Sequence, residues 1–149
     1  MVRRLLPAAT VMLALLLAPG GEAAQNLQQV VGEFGLIGSW ARDCSKPASP
    51  QMPRILYAAT ADGGVTRELV EGAAPGGTGT TFVAASRLAP DQLEVDYLYE
   101  DRTVHLVLEM RDGRHRGFRS WIDGGAPIME DGVVLANNRR APWLEKCTE

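Results

Sequence analysis

Apolar positions change period twice along this chain. Leu5 to Ala18 is a nearly unbroken apolar stretch, interrupted by Pro7 and Thr10, and it follows Arg3 and Arg4. Further on, Leu27, Val30, Val31 and Phe34 recur at the spacing of one helix face, and Gly35 follows them. That spacing predicts a short helix over Leu27 to Phe34. From Leu36 the text becomes short apolar and alternating runs separated by Gly, Pro, Asn and Asp, which is an all-β rhythm. The predicted strands are Leu36 to Arg42, Arg54 to Thr60, Val65 to Glu71, Thr80 to Leu88, Gln92 to Glu100, Thr103 to Arg111 and Arg114 to Asp123, with a weaker one at Val133 to Ala136.

The register of the central strands follows from the turns. A two-residue turn at Asp112-Gly113 sets Met110 against His115, Leu108 against Gly117, Leu106 against Arg119 and Val104 against Trp121. A turn at Asp101-Arg102 sets Tyr99 by Val104, Tyr97 by Leu106, Val95 by Leu108 and Leu93 by Met110. Both hairpins then present one apolar face. On the other face Glu109 meets Arg116, which favours this register, and Glu94 meets Glu109, which opposes it. Leu98, Val107, Phe118 and Ile122 are apolar on that outer face and need a cover. His105 falls outside and His115 inside, so the two imidazoles share no metal, and neither has a spaced Cys or carboxylate cluster beside it.

Seven or eight antiparallel strands must hide one apolar face. The expected fold is therefore an all-β barrel of seven or eight strands, with a two-sheet β-sandwich as the alternative. Its interior would be lined by Tyr97, Tyr99, Leu106, Arg119 and Trp121, which form the candidate ligand-binding site. A buried arginine needs a partner, so Arg119 either packs against the structure or holds the anionic head of a ligand.

The first apolar stretch changes what counts as the domain. Two basic residues, an apolar run, helix-breaking Pro19-Gly20-Gly21, and small Gly21 and Ala23 match a secretory signal, residues 1–23, cut after Ala23 or Ala24. The run is shorter than the roughly 20 residues of a membrane span, so no span is expected after cleavage. Removing the signal from 149 residues leaves about 126, residues 24–149, enough for one β domain. Export also gives meaning to the two cysteines, because an oxidising compartment favours a Cys44–Cys147 disulfide, the one intramolecular pairing possible. Each cysteine stands four residues after a tryptophan, Trp40 and Trp143, which places both segments together.

Charge and motifs mainly exclude. The net charge of −3 and the lack of a basic run argue against nucleic acid. Gly72 to Gly79 is glycine-rich but lacks the lysine and the following helix of a phosphate loop. No serine has a nucleophile-elbow setting and no carboxylate pair stands out, so no enzyme activity, cofactor or metal is indicated.

Gly38-Ser-Trp40 after a short helix, together with Val95-Asp-Tyr-Leu-Tyr99, resembles the motifs of lipocalin-like (calycin) barrels. That family packs an arginine over the tryptophan of Gly-x-Trp, and Arg119 is the best match, with Arg139 and Arg140 as alternatives. The whole chain is also similar to small exported bacterial proteins of uncharacterised role that begin Gly-x-Trp…Cys and end Trp…Lys-Cys. The periplasmic metalloprotease inhibitors, lipocalin-like barrels with an N-terminal segment that enters the protease, are a further relative in style. The first expectation is thus an exported, periplasmic or secreted, barrel that binds a small hydrophobic or amphipathic molecule. An inhibitor-type partner of an envelope protein comes second, with the Leu27 to Phe34 segment or the Asn137 to Arg140 loop making the contact. A hydrolase comes third.

Overall fold

The structure is a computed structural model that describes residues 22–72 and 79–148. Most of the expected signal segment and the interior of the Gly72 to Gly79 loop lie outside the described residues. Helix α1 (Glu22–Glu33) is followed by strands β1 (Gly38–Ala41), β2 (Arg54–Ala59), β3 (Val65–Val70), β4 (Gly79–Ala89), β5 (Gln92–Tyr99), β6 (Arg102–Arg111) and β7 (Arg114–Ile122). Four shorter strands complete the chain: β8 (Pro127–Glu130), β9 (Val133–Val134), β10 (Arg139–Arg140) and β11 (Leu144–Cys147). Seven of these strands, β1 to β7, close into an antiparallel barrel with β11 as the eighth, inserted between β7 and β1. The barrel is the expected class, and the sandwich alternative falls away because β6 pairs with both β5 and β7 to complete the ring.

Helix α1 forms because its apolar positions share one face. Leu27, Val31 and Phe34 are buried in the same core cluster as the barrel residues Trp40, Tyr57, Val65, Phe82, Leu93, Val95, Leu108 and Leu144. Gly35, at φ 84°, turns the chain out of the helix, a conformation that glycine takes without steric cost. The helix packs against β4 and β3, and the Arg87 guanidinium lies 5.5 Å from the Phe34 ring centre.

The Gly-x-Trp segment now has a physical reason. Trp40 is 2% exposed and its indole N–H donates to the Leu36 carbonyl at 2.7 Å. Gly38 has φ 133°, and a Cβ there would stand 2.7 Å from Lys146 Cε. Lys146 crosses at that point, donates from Nζ to the Gly35 carbonyl at 3.0 Å and sits 5.5 Å over the Trp40 ring. The cation on this tryptophan is therefore Lys146. Arg119 is exposed on the other side of the sheet wall, and Arg139 and Arg140 are exposed on β10.

The end of the chain closes the ring. Ser39, Trp40 and Ala41 pair with Cys147, Lys146 and Glu145, so the two tryptophan-to-cysteine segments lie side by side, as their spacing suggested. Cys44 and Cys147 are bonded, 103 residues apart in sequence. The tryptophans part company, however: Trp40 enters the core while Trp143 lies under the guanidinium groups of Arg116, at 4.6 Å, and Arg111, at 5.7 Å.

Two registers differ from expectation. The β5–β6 turn falls at Glu100-Asp101, both at positive φ, and sets Tyr97 against Val104, Val95 against Leu106 and Leu93 against Leu108. The slip is two residues, which preserves the faces. It also separates the two glutamates, placing Glu94 beside Val107 and Glu109 beside Gln92, so the like-charge pair disappears. In β7 a bulge intervenes: Leu108 pairs with Gly117 but Val107 pairs with Arg119, leaving Phe118 as the extra residue. Every later residue of β7 changes face. Ser120 and Ile122 turn inward, opposite Leu106 and Val104, while Arg119 and Trp121 turn outward.

The cause of the bulge lies further along the chain. The Gly132 N–H donates to the Phe118 carbonyl at 2.7 Å, and the Met129 sulfur would be 3.0 Å from any Cβ on Gly117. The β8–β9 hairpin thus docks on β7 at the irregularity. Among the described residues no helix is long and apolar enough to cross a membrane.

Candidate functional site

Strand register decides which side chains meet inside the barrel. Tyr97, Tyr99 and Leu106 keep the expected inner face, Leu106 packed on the core and Tyr99 left 54% exposed at the strand end. Arg119 and Trp121 are excluded from this site, because the β7 bulge rotates both to the outer face. The arginine that the interior does hold is Arg67. On β3 it stands opposite Tyr57 of β2 and Thr80 of β4, so its two cross-strand neighbours are a phenol and a hydroxyl, with no carboxylate in either place.

Four atoms define the chemistry of this interior. Among the described residues, Arg67 Nε, Thr80 Oγ1 and both ring nitrogens of His115 are buried without a hydrogen-bond partner. The Arg67 guanidinium lies across the strand pair from the Tyr57 phenol and favours its ionised form, while Tyr97 acts on the phenol in the opposite sense. Burial raises the Tyr57 phenol above its ordinary pKa, with Arg67 opposing the rise, so the hydroxyl stays protonated. His115 is 1% exposed and packs edge-on against Trp40, ring centres 4.5 Å apart, and against Tyr57 at 5.6 Å. Burial, with the Arg67 charge as the smaller cause, lowers its pKa to about 4. At neutral pH the imidazole is therefore uncharged, with one nitrogen a donor and the other an acceptor.

This arrangement presents a set of hydrogen-bond donors to the interior. A fixed cation, a neutral imidazole, a hydroxyl and a phenol offer several donors to one compact anionic or polar group in a low-dielectric setting. No nucleophile with an adjacent oriented base is found among the described residues of this cluster. The sequence signal for Arg67 was its parity, midway between inward Val65 and Leu69. A charged residue between them interrupts the apolar alternation, and alternation by itself assigns such a residue to the solvent face.

A second polar cluster occupies the outer face. His105 faces Asp96 across the β5–β6 pair, with 2.8 Å from Nδ1 to the carboxylate, and its Nε2 lies 2.8 Å from Asp123. Glu94 is 3.8 Å from Nδ1, and the Trp121 ring stacks on the imidazole at 4.8 Å. The hydrogen bond that His105 makes to Asp123 is the largest cause of its raised pKa, with Asp96 assisting and burial opposing. The expectation that no carboxylates gather beside either histidine is thus corrected. Under the anticipated register His105 would have faced Leu98, and the two-residue slip brings Asp96 to it instead.

The two larger surface clefts lie elsewhere on the molecule. One, of about 390 Å³, is lined by Pro47, Ala48, Leu56 and Val70, with Arg54 at its wall. Arg54 donates to the Cys44 and Lys46 carbonyls at 3.2 and 3.0 Å, so it holds the disulfide loop. The other, of about 610 Å³, gathers Arg42, Asn137, Arg139 and Arg140. No protein-family model matches the chain, and no curated protein or solved structure matches it significantly.

Proposed function

We propose that this protein is an exported binding barrel whose interior cluster around Arg67 receives the anionic head of a small hydrophobic or amphipathic molecule. The carrying observation is the set of buried, unpartnered polar atoms on Arg67, Thr80 and His115 inside a closed barrel. Buried polar groups are nearly always satisfied, and orphans on Arg67 and Thr80, which pair across β3 and β4, and on His115, which packs against Tyr57, call for an occupant. Tyr97 and Leu106 add inward surface on β5 and β6, and Tyr99 lies at the Glu100-Asp101 end of β5. The interior is already filled by Trp40, Tyr57, Phe82 and Leu93, so the ligand is compact. The signal-like residues 1–23 and the Cys44–Cys147 bond support export to an oxidising compartment. The Gly38 and Trp40 motif supports kinship with lipocalin-like barrels.

An inhibitor whose N-terminal segment enters a partner's cleft is less well supported. Leu27, Val31 and Phe34 are core residues here, and withdrawing them would uncover the barrel.

Native mass spectrometry of the protein isolated without reduction tests the binding reading. A bound small acid that is lost in Arg67→Met, while the variant melts cooperatively, is the expected result. An adduct retained by that variant, or an interior that a crystal structure shows filled by water alone, would overturn it.

A further inference from the structure

We infer that the outer wall of the barrel carries a divalent-cation site whose protein ligands are Glu94, Asp96 and the Nδ1 of His105. One donor atom from each of the three lies within 4.8 Å of the others. The closeness is built into the sheet. Asp96 and His105 are direct cross-strand partners, and Glu94 lies two residues along β5 on the same face. Ligand bonds of about 2.0 to 2.2 Å need donor atoms roughly 3.4 Å apart, so modest side-chain rotation completes the set.

Three features outside the ligands favour an ion over a simple charge cluster. Asp123 lies 2.8 Å from the far nitrogen of His105, the kind of outer-shell contact that fixes a metal-binding imidazole, and an ion would replace the direct 2.8 Å contact of Nδ1 with Asp96 by ligation to both. Trp121, turned outward by the β7 bulge, stacks on the ring within 15° of parallel and restrains its orientation. Charge is also left over. Three carboxylates surround one imidazole, and no lysine or arginine forms an ion pair with any of them among the described residues. The neighbouring outward positions are Ala84 and Ser86 on β4, Thr103 and Val107 on β6, and Arg119 on β7, so Arg119 is the one cation nearby by register.

Donor chemistry selects the class of ion. One imidazole nitrogen with two carboxylates suits a first-row divalent ion such as Zn²⁺ or Mn²⁺, while an all-oxygen set would suit Ca²⁺ or Mg²⁺. Three protein ligands on a partly exposed wall leave room for water in the remaining positions.

Isothermal titration with Zn²⁺, and native mass spectrometry of the same untagged, disulfide-bonded protein, decide the matter. The expected result is one ion per chain with micromolar affinity, unaffected by excess Ca²⁺, and a perturbed His105 ring resonance with His115 unmoved. His105→Gln should weaken binding about 100-fold and Glu94→Gln about 10-fold. Glu94→Gln leaves both 2.8 Å contacts of His105 in place, so its effect does not depend on a fold defect. Absence of one-to-one binding below about 100 μM, or equal binding by both variants, overturns the site.

Discussion

His115 and His105 stand on opposite faces of the wall and respond to pH in opposite senses. For His115 the folded state disfavours the proton, since burial and Arg67 lower its pKa to about 4 from the ordinary 6.5. An unfolded chain therefore binds the proton more readily, and stability is complete above about pH 6.5 and declines as pH falls toward 4. The loss amounts to about 3 kcal/mol over that window. In His115→Phe this share of the acid sensitivity should vanish, leaving the carboxylates to set what remains. Urea unfolding midpoints at pH 4.5, 5.5 and 7 check this, and parallel curves for both proteins would mean that His115 is solvated in the native state. Arg67 carries the complementary lesson. Its inward placement is legible only as parity, and a charged residue at an inward position contradicts the rule that polar residues take the solvent face.

Among the elements, strands were more legible than their pairings. The seven main strand segments are readable from turns and alternation, because each has a strong apolar inward set and a Gly, Asp or Pro boundary. Their registers depended on contacts that local pattern does not contain. The Glu100-Asp101 turn places two non-glycine residues at positive φ, 47° and 61°, a conformation favoured by Asn-Gly. Replacing the pair by Asn-Gly should raise stability by about 1 kcal/mol, seen as a higher denaturant midpoint at unchanged slope. An unchanged midpoint would show that cross-strand packing alone sets this register. The β7 bulge is not legible for a different reason: its contacts come from Gly132 and Met129, on a hairpin beginning five residues after β7. Arg119 and Trp121 were misplaced by that single extra residue.

At the scale of the whole molecule, closure depends on the last strand. Leu144 packs inward opposite His115, and Cys147 is tied to the loop after β1, so the disulfide joins the two strands that complete the ring. Its loop of 103 residues is long, and constraint of the unfolded chain makes its loss cost about 2 to 5 kcal/mol. The double variant Cys44→Ser, Cys147→Ser should show that loss in denaturant unfolding. It should also show faster amide exchange at Leu144 to Cys147 than at β5 and β6. Uniform exchange across all strands would mean that the barrel opens as one unit and β11 is not its seam.

The sequence by itself determined the fold class, the short helix, the inner set of Tyr97, Tyr99 and Leu106, and the disulfide partners. Each of these is local: a period, a boundary or a count of cysteines. Tertiary structure alone decided that Lys146 covers Trp40, that Arg67 is the interior cation and that Asp96, Asp123 and Trp121 enclose His105. Those contacts join residues far apart in sequence through a register, and a strand slip of two residues or one bulge reassigns them while leaving the apolar pattern almost unchanged.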